Sequence, residues 1–451
     1  MVGLNKYKAY PEYKDSGVEW LGEIPYQWKI LRHKYVACFS KGKNPMNLLD
    51  QPLKNTLPYL SMDCLRNNTT DKYALISNDV RITLEGQPLI IWDGSNAGEF
   101  VKGKSGILSS TMAAATLTYP LHPQYYWYLC ISIEPEIRRN ATGMGIPHVN
   151  GEELKSIKLG IPSIFEQSKI AAFLDHETTK IDKLIEKQQQ LIELLKEKCQ
   201  AVISHAVTKG LNLDAPMKDS GVEWLGEVPT HWISVRVKQI SSFITSGPRG
   251  WSDFLTEEGR EIFLQSGDLN DELGLQLDKA KRVSPPKNAE GIRTRLTVGD
   301  VVVCITGANT GRVAIVSELS QTTYINQHLS LIRPNTSNVN SVFLGYSLAS
   351  SVGRSFFDVA QYGLKEGLSL SNVSEAPLAL PPRYEQDAIV KYLESIRNNY
   401  DNLSRISTVQ VELLKERRTA LISAAVTGKI DVRDWVAPEA REVEVLQEVT
   451  A

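Results

Sequence analysis

Ten consecutive residues occur twice in this chain. Lys14 to Trp28 reads KDSGVEWLGEIPYQW and Lys218 to Trp232 reads KDSGVEWLGEVPTHW; the first ten letters are identical at an offset of 204, and the closing Pro and Trp recur as well. Identity over such a stretch does not arise by chance, so the polypeptide carries two copies of one unit. A period this long is not that of a solenoid, whose repeats run to a few tens of residues. It implies two domains related by an approximate two-fold, and a binding target that offers two sites.

A second pair of blocks extends the duplication. Phe165 to Gly210 matches Tyr384 to Lys429 at an offset of 219, anchored by Glu166-Gln167 with Glu385-Gln386, Leu194–Glu197 with Leu413–Glu416, and Ala206-Val207-Thr208 with Ala425-Val426-Thr427. The change of offset puts a net 15 extra residues into the second copy between phrase and block. Neither block contains Pro or Gly before its terminal Gly210 or Gly428, which predicts two long helices with glycine stops. Some 40 residues at 1.5 Å each make a rod of about 60 Å. A heptad runs through the first as Leu174, Ile181, Gln188, Leu195 and Val202 on one seam position and Thr178, Ile185, Ile192, Cys199 and Ala206 on the other. Its equivalents in the second are Leu393, Tyr400, Ser407, Leu414 and Leu421, then Arg397, Ser404, Val411, Arg418 and Ala425. The second stripe is broken by polar residues, which suits packing over part of the length rather than a continuous zipper. The apolar seam residues are the expected helix–helix or partner interface; the outer faces carry Glu186, Lys187, Glu193, Lys196, Lys415 and Arg417, solvated or docked.

Between phrase and helix lie two variable regions that read as mixed α/β. LPYLSMDCL, PLIIWDG, IFLQSGDL and DVVVCITG are short apolar runs bounded by turn residues and predict strands; QYYWYLCISIEPEIRR and VNSVFLGYSLASSVGRSFF predict amphipathic helices. DGSNAG (Asp93–Gly98) and TGANTG (Thr306–Gly311) each follow an apolar run, with their glycines in step, so the two regions are expected to share a fold. The expected division is an N-terminal segment 1–28, a first globular domain 29–163, a central helix 164–210, a connector 211–232, a second domain 233–382, a distal helix 383–430 and a tail 431–451. The second helix lacks a following phrase of its own, and the N-terminal segment is its natural follower. The unit closes on itself as a ring, which predicts that the two ends of the chain lie near each other.

Composition sets limits. At 42% hydrophobic and 23% charged over 451 residues, the chain has the make-up of a globular protein of two or three domains. There is no apolar leader at the N-terminus and no run long enough to span a bilayer. Five scattered cysteines form no CxxC pair, which points away from a zinc site or disulfide framework and toward a reducing cytoplasm. The net charge of −2 does not announce a nucleic-acid partner.

Taken together, the Trp-ended phrase, the entries Ile161-Pro162…Glu166-Gln167 and Leu380-Pro381-Pro382…Glu385-Gln386, the LLKE helices and the AVT endings resemble the specificity subunit of a type I restriction-modification enzyme over nearly the whole chain. The resemblance implies two target recognition domains separated by two long antiparallel helices, with pseudo-two-fold symmetry. It further implies a non-catalytic subunit in which each domain reads half of a split, asymmetric sequence in double-stranded DNA. Two modification (methyltransferase) subunits would dock on the helices, and restriction (motor-nuclease) subunits would join them. S-adenosylmethionine, ATP and Mg²⁺ would belong to those partners.

The motifs that are missing agree with a reader. The nearest string to an adenine-methyltransferase loop, Asn44-Pro45-Met46, lacks the second Pro and the aromatic; no GxxxxGK[ST] occurs, and the seven histidines form no ligand cluster. Asp253, Glu257, Glu258 and Glu261 are most simply a solvated helix start, although a fused nuclease site with loose acidic spacing is an alternative. The other alternative is a duplicated coiled-coil scaffold for proteins, without sequence-specific DNA binding. Phosphate contacts need Lys, Arg and backbone N–H; base edges are read by Arg, Lys, Asn, Gln, Ser or Thr. Counting charges gives the first variable region about +4 and the second about zero, so any basic footprint is local. The DNA-binding candidates in the first are Lys41, Lys43, Arg66, Asn67, Asn68, Lys72, Lys102 and Lys104, with Ser95 and Asn96 on the glycine-flanked turn. In the second they are Arg249, Lys281, Arg282, Lys287, Arg293, Arg295 and Arg312, with Asn309 and Thr310 on the equivalent turn. For Trp20, Trp28, Trp224 and Trp232, core or interface anchoring outweighs stacking on bases, because they sit in the repeated phrase.

Overall fold

The computed structural model describes residues 7–139, 147–286, 289–361 and 367–437. It divides into two units: Met1–Gln188 with Val409–Ala451, and Gln189–Thr408. Lys287 and residues 438–451 of the expected tail lie outside the described residues.

The strands of the larger sheet recur in each unit in the same order. In the first, a four-stranded antiparallel sheet runs Ala37–Lys41, Met112–Leu117, Pro88–Ile91, Phe100–Lys102. In the second it runs Ser241–Ser246, Leu329–Pro334, Val301–Cys304, Val313–Ile315. Beside each lies a smaller sheet built on one parallel pair, Thr56–Leu60 with Gly106–Leu108 and Glu261–Leu264 with Thr323–Ile325. A parallel pair needs a long crossover rather than a hairpin, and the large sheet's strands supply it in both units. The start-to-start offset between matched strands is 204 at Ala37 and Ser241, 213 at Pro88 and Val301, 217 at Met112 and Leu329, and 219 at Lys158 and Pro377. The extra residues of the second copy therefore enter in three steps.

Local chemistry corrects the expected elements. The strand in LPYLSMDCL ends at Leu60, because the Ser61 hydroxyl accepts from Cys64 N and starts the helix Met62–Asn67. IFLQSGDL is a strand only through Leu264 and then a 3-10 turn, Ser266–Asp268. VNSVFLGYSLASSVGRSFF forms two helices, Ser341–Ala349 and Ser351–Ala360, since Ser350 leaves the helical conformation and caps Gly353 N. The acidic residues at 253–261 are not a helix start: Asp253 lies in the 3-10 turn Trp251–Phe254, and Glu261 opens a strand.

Both blocks form long helices, Ile164–Lys209 and Arg383–Val426, and Gly210 and Gly428 follow them at φ +80° and +74°, the left-handed region that ends helices. Each unit uses half of each helix. In the first unit, Ile170, Phe173, Leu174 and Ile181 share a core with Leu421, Ile422, Ala425 and Val426. In the second, Ile203, Ala206 and Val207 share one with Ile389, Val390 and Leu393. Burial follows the heptad. Leu174, Ile181, Leu195, Leu393, Val411 and Leu421 are buried; Ile185, Ile192, Val202, Tyr400 and Leu414 are half-buried. One polar seam residue is paired: in the first unit Arg418 Nε reaches Asp182 Oδ1 at 2.8 Å.

The Glu-Gln pair at each helix start has a job that explains its recurrence. Trp28 and Trp232 are fully buried, and each indole Nε1 donates to the Glu: to Glu166 Oε1 at 3.0 Å and to Glu385 Oε2 at 2.6 Å. A buried carboxylate is tolerable only with such donors, and Tyr10 Oη supplies Glu166 with another. The Gln clamps backbone on both sides: His122 N to Gln167 Oε1 at 2.8 Å with Gln167 Nε2 to Pro162 O at 3.0 Å, and Asn340 N to Gln386 Oε1 at 2.8 Å with Gln386 Nε2 to Pro381 O at 2.9 Å. The N-terminal segment also closes onto the end of the second long helix. Tyr13 Oη donates to Gly428 O at 3.1 Å, and Asp431 N donates to Lys8 O at 2.8 Å.

Candidate nucleic-acid interface

One end of the large sheet gathers four chain segments in each unit. In the first unit, Lys41 leaves its strand beside the turn after Ile91 and the turn before Met112. Trp92 N and Asp93 N both donate to Thr111 O, at 2.8 and 3.2 Å. Val149 N donates to Trp92 O and Gly94 N to Pro147 O, both at 2.9 Å, which brings in the fourth segment. The second unit repeats this. Ile305 N donates to His328 O at 2.9 Å, and Leu368 N to Ile305 O at 2.7 Å. Asp93 bridges His148 just as Thr306 bridges Gly367. Glycine is obligatory where the first segment tucks under the third. A Cβ on Gly42 would collide with the carbonyl oxygens of Leu108 and Ser109, and one on Gly247 with those of Ile325 and Asn326.

On this shared frame the side chains differ. The first rim carries an ion pair, Lys41 Nζ to Asp93 Oδ2 at 2.6 Å, and Asn44 Oδ1, which accepts from Tyr59 Oη at 2.9 Å and Ser110 N at 3.2 Å. The second carries a hydrogen-bonded row in which Gln327 Nε2 meets His328 Nε2 at 3.2 Å and His328 Nδ1 meets Thr306 Oγ1. None of Asn44, Asp93, Thr306, Gln327 and His328 is legible as a site residue in the sequence. The glycine-flanked turns gave the location, but the partners come from strands far along the chain.

The candidates from sequence fall into several groups. Lys41, Lys43, Ser95 and Asn96 are at the first rim and Arg249 and Asn309 at the second, where Asn309 is tied through Nδ2 to Ser266 O at 3.1 Å. Thr310 is a correction. It is buried, and its hydroxyl donates to Gly307 O at 2.6 Å, so it closes the turn instead of facing a ligand. Lys102 lies toward the opposite end of the sheet, level with Pro88 and 5.3 Å above the Trp127 ring. Around the helix Met62–Asn67, Lys104 Nζ donates to Cys64 O at 2.6 Å and to Asn68 Oδ1 at 2.8 Å, and Asn68 holds the left-handed cap after Asn67. Arg66 is paired with Glu99, Lys72 with Asp50 and Arg312 with Asp271. Arg282 donates to Gln321 Oε1 at 3.2 Å. Lys281, Arg293 and Arg295 are exposed on the strand and helix edges of the small sheet.

Behind the first turn, Phe100 N donates to Glu134 Oε1 at 2.8 Å, while burial pushes the Glu134 carboxyl up to about 7. Among the described residues no cluster of His, Cys, Asp or Glu is placed to hold a metal ion, and no helix is long and apolar enough to cross a membrane.

The family described as "Type I restriction modification DNA specificity domain" matches residues 25–194 and again 229–412. Among curated proteins, the MjaVIII type I restriction enzyme specificity subunit of Methanocaldococcus jannaschii is 26% identical over 419 residues, which is 91% of this chain and 95% of that one. The EcoBI specificity subunit of Escherichia coli is 23% identical over 311 residues, 67% of this chain and 64% of the other. Among solved structures, a chain from work on complex assembly and conformational transition of the type I R-M system superposes with a TM-score of 0.66 at 16% identity, over 89% of this chain and 98% of that one. That likeness is one of fold.

Proposed function

The chain belongs to the type I restriction modification DNA specificity family, and from that premise we propose that each unit reads one half of a split, asymmetric sequence in double-stranded DNA. One observation carries the reading: two rims share a backbone frame down to the obligatory Gly42 and Gly247, yet present different side chains. A frame held constant while its exposed groups change suits two readers of unlike sequence. Base edges in the major groove are distinguished by donor and acceptor patterns that Asn, Gln, Asp, Ser, Thr and His can match. Lys43 and Arg249, beside the rims and without an ion pair among the described residues, suit phosphate contacts that set register.

In this reading the chain itself is non-catalytic. It docks two modification subunits that methylate DNA with S-adenosylmethionine, and restriction subunits that use ATP and Mg²⁺ join that assembly in the cytoplasm. The outer faces of the long helices support docking: Leu184 and Leu194 on the first, and Leu403 and Leu413 at the matching places on the second, are exposed apolar residues. The test is to replace residues 233–382 with those of another specificity subunit and map the methylated sites. A change in one half of the target supports the reading; a change in both halves, or in neither, overturns it.

A further inference from the structure

The repeated phrase is more alike than its fold requires. Much of the identity explains itself. Trp28 and Trp232 are core; Asp15 Oδ1 and Asp219 Oδ1 accept from Gly17 N and Gly221 N at 2.9 and 3.0 Å; and these glycines, with Gly22 and Gly226, have positive φ. Glu19 and Glu223 do not. Both are exposed, and neither carboxylate has a hydrogen bond or ion pair among the described residues. Trp20 and Trp224 are only half-buried.

Each of these tryptophans lines an open cleft, of about 370 Å³ in the first unit and 520 Å³ in the second. The clefts occupy the same place in the fold. Val18 and Trp20 correspond to Val222 and Trp224, and Ile137 corresponds to Phe356, which meets Trp224 edge-on at 6.4 Å. The family match begins at residues 25 and 229, so the glutamates and the half-exposed tryptophans lie outside it.

What would hold these residues constant while the rims diverge? DNA does not fit. Two different half-sites would not require identical readers, and the exposed Glu19, Glu23, Glu223 and Glu227 repel phosphate. A ligand that arrives as two identical copies does fit. We propose that the phrase and its tryptophan cleft form a docking site, present once per unit, for the same segment of each modification subunit. That segment has an apolar side chain that enters the cleft against the indole, flanked by Lys or Arg facing the glutamates. The inference rests on the assembly reading above and adds a contact separate from the long helices. Trp is among the residue types enriched where a few side chains carry most of an interface's binding energy.

The experiment co-expresses the chain with its cognate modification subunit and counts bound copies by native mass spectrometry, with affinity from titration. Glu19→Lys and Glu223→Lys are made singly and together, as are Trp20→Ser and Trp224→Ser. Each single variant is expected to weaken one of two bound copies at least tenfold, and each double variant both, with the thermal midpoint of the charge reversals unchanged. Two copies held at wild-type affinity by both double variants would overturn the proposal. A wild-type chain that takes up no modification subunit overturns the assembly reading, and this site with it.

Discussion

Arg66 Nη2 lies 2.6 Å from both carboxylate oxygens of Glu99, linking the short helix after one strand to the turn before another. The second unit has a bridge in the corresponding place with its charges exchanged: Asp271 is now on the strand-following loop, and Arg312, 2.9 Å away, is on the turn. The two units have kept the link and not the residues. Both arginines thus have an internal role. Exposed pairs of this kind contribute about 0.2–1 kcal/mol. Arg66→Ala should cost no more than that in denaturant melts, Arg312→Ala somewhat more because its Nη1 also donates to Leu269 O at 3.0 Å, and both should leave the methylated sequence unchanged. Lys43→Ala and Arg249→Ala, by contrast, should weaken DNA binding by the assembled complex across all sequences and lower its salt slope by about 1. Binding isotherms at several salt concentrations separate the two classes.

The repeated tryptophans should separate by position. Trp28→Ala removes a fully buried ring and leaves Glu166 without its indole donor, so a loss of about 3–5 kcal/mol is expected, and likewise for Trp232→Ala. Trp20→Ala removes a half-buried ring and should cost clearly less. Chemical denaturation of the three variants ranks them.

The two helix stops give a matched pair. Both glycines sit in the left-handed region, which costs a side chain about 1–2 kcal/mol. At Gly210 a Cβ would lie 3.2 Å from the Trp232 ring, a contact that small shifts relieve. At Gly428 it would collide with the Pro25 ring and lie 3.3 Å from Trp28. Gly428→Ala should therefore destabilise by more than Gly210→Ala, read as a larger drop in denaturant midpoint.

The first unit should also carry opposed pH responses. Burial raises the Glu134 carboxyl from 4.5 to about 7, so the fold prefers its protonated form, and that stability is lost as pH rises through about 7. Burial lowers the His33 ring from 6.5 to about 4, so the fold prefers it neutral, and that stability is lost as pH falls from 6.5 toward 4. Glu134→Gln removes the first response and can keep the acceptor for Phe100 N. In melts at pH 5 and pH 7.5, the variant should gain more stability on going to the higher pH than the wild type does. Equal differences would show that Glu134 does not titrate in this window.

The parts of this architecture legible in the sequence are those written in short-range patterns. The heptad shows because every seam position, including Ser407 and Arg397, is at least partly withdrawn from water. The helix stops show because only glycine takes their φ without strain. The rims were legible in location only. Lys41 meets Asp93, and Thr306 meets His328, across 52 and 22 residues of chain, and no local signal marks such pairs. Thr310 differs from expectation for a related reason: nothing in a polar residue between glycines shows that its hydroxyl closes the turn. The ion pairs of the arginines at 66 and 312 leave no local signal, because their partners are 33 and 41 residues away.

The sharing of both long helices sets a timetable for synthesis. The second unit is continuous, Gln189 to Thr408, and has all its parts once that stretch has left the ribosome. The first unit needs Val409 onward, including the buried Leu421, Ile422 and Val426. Its opening 188 residues therefore emerge first and wait longest, with the apolar face of Phe173 and Leu174 only partly covered until translation is nearly finished. The usual order, in which the N-terminal domain matures first, is inverted. A truncated product lacking only the last few dozen residues leaves the half made earliest without its closing piece, and the half made later intact.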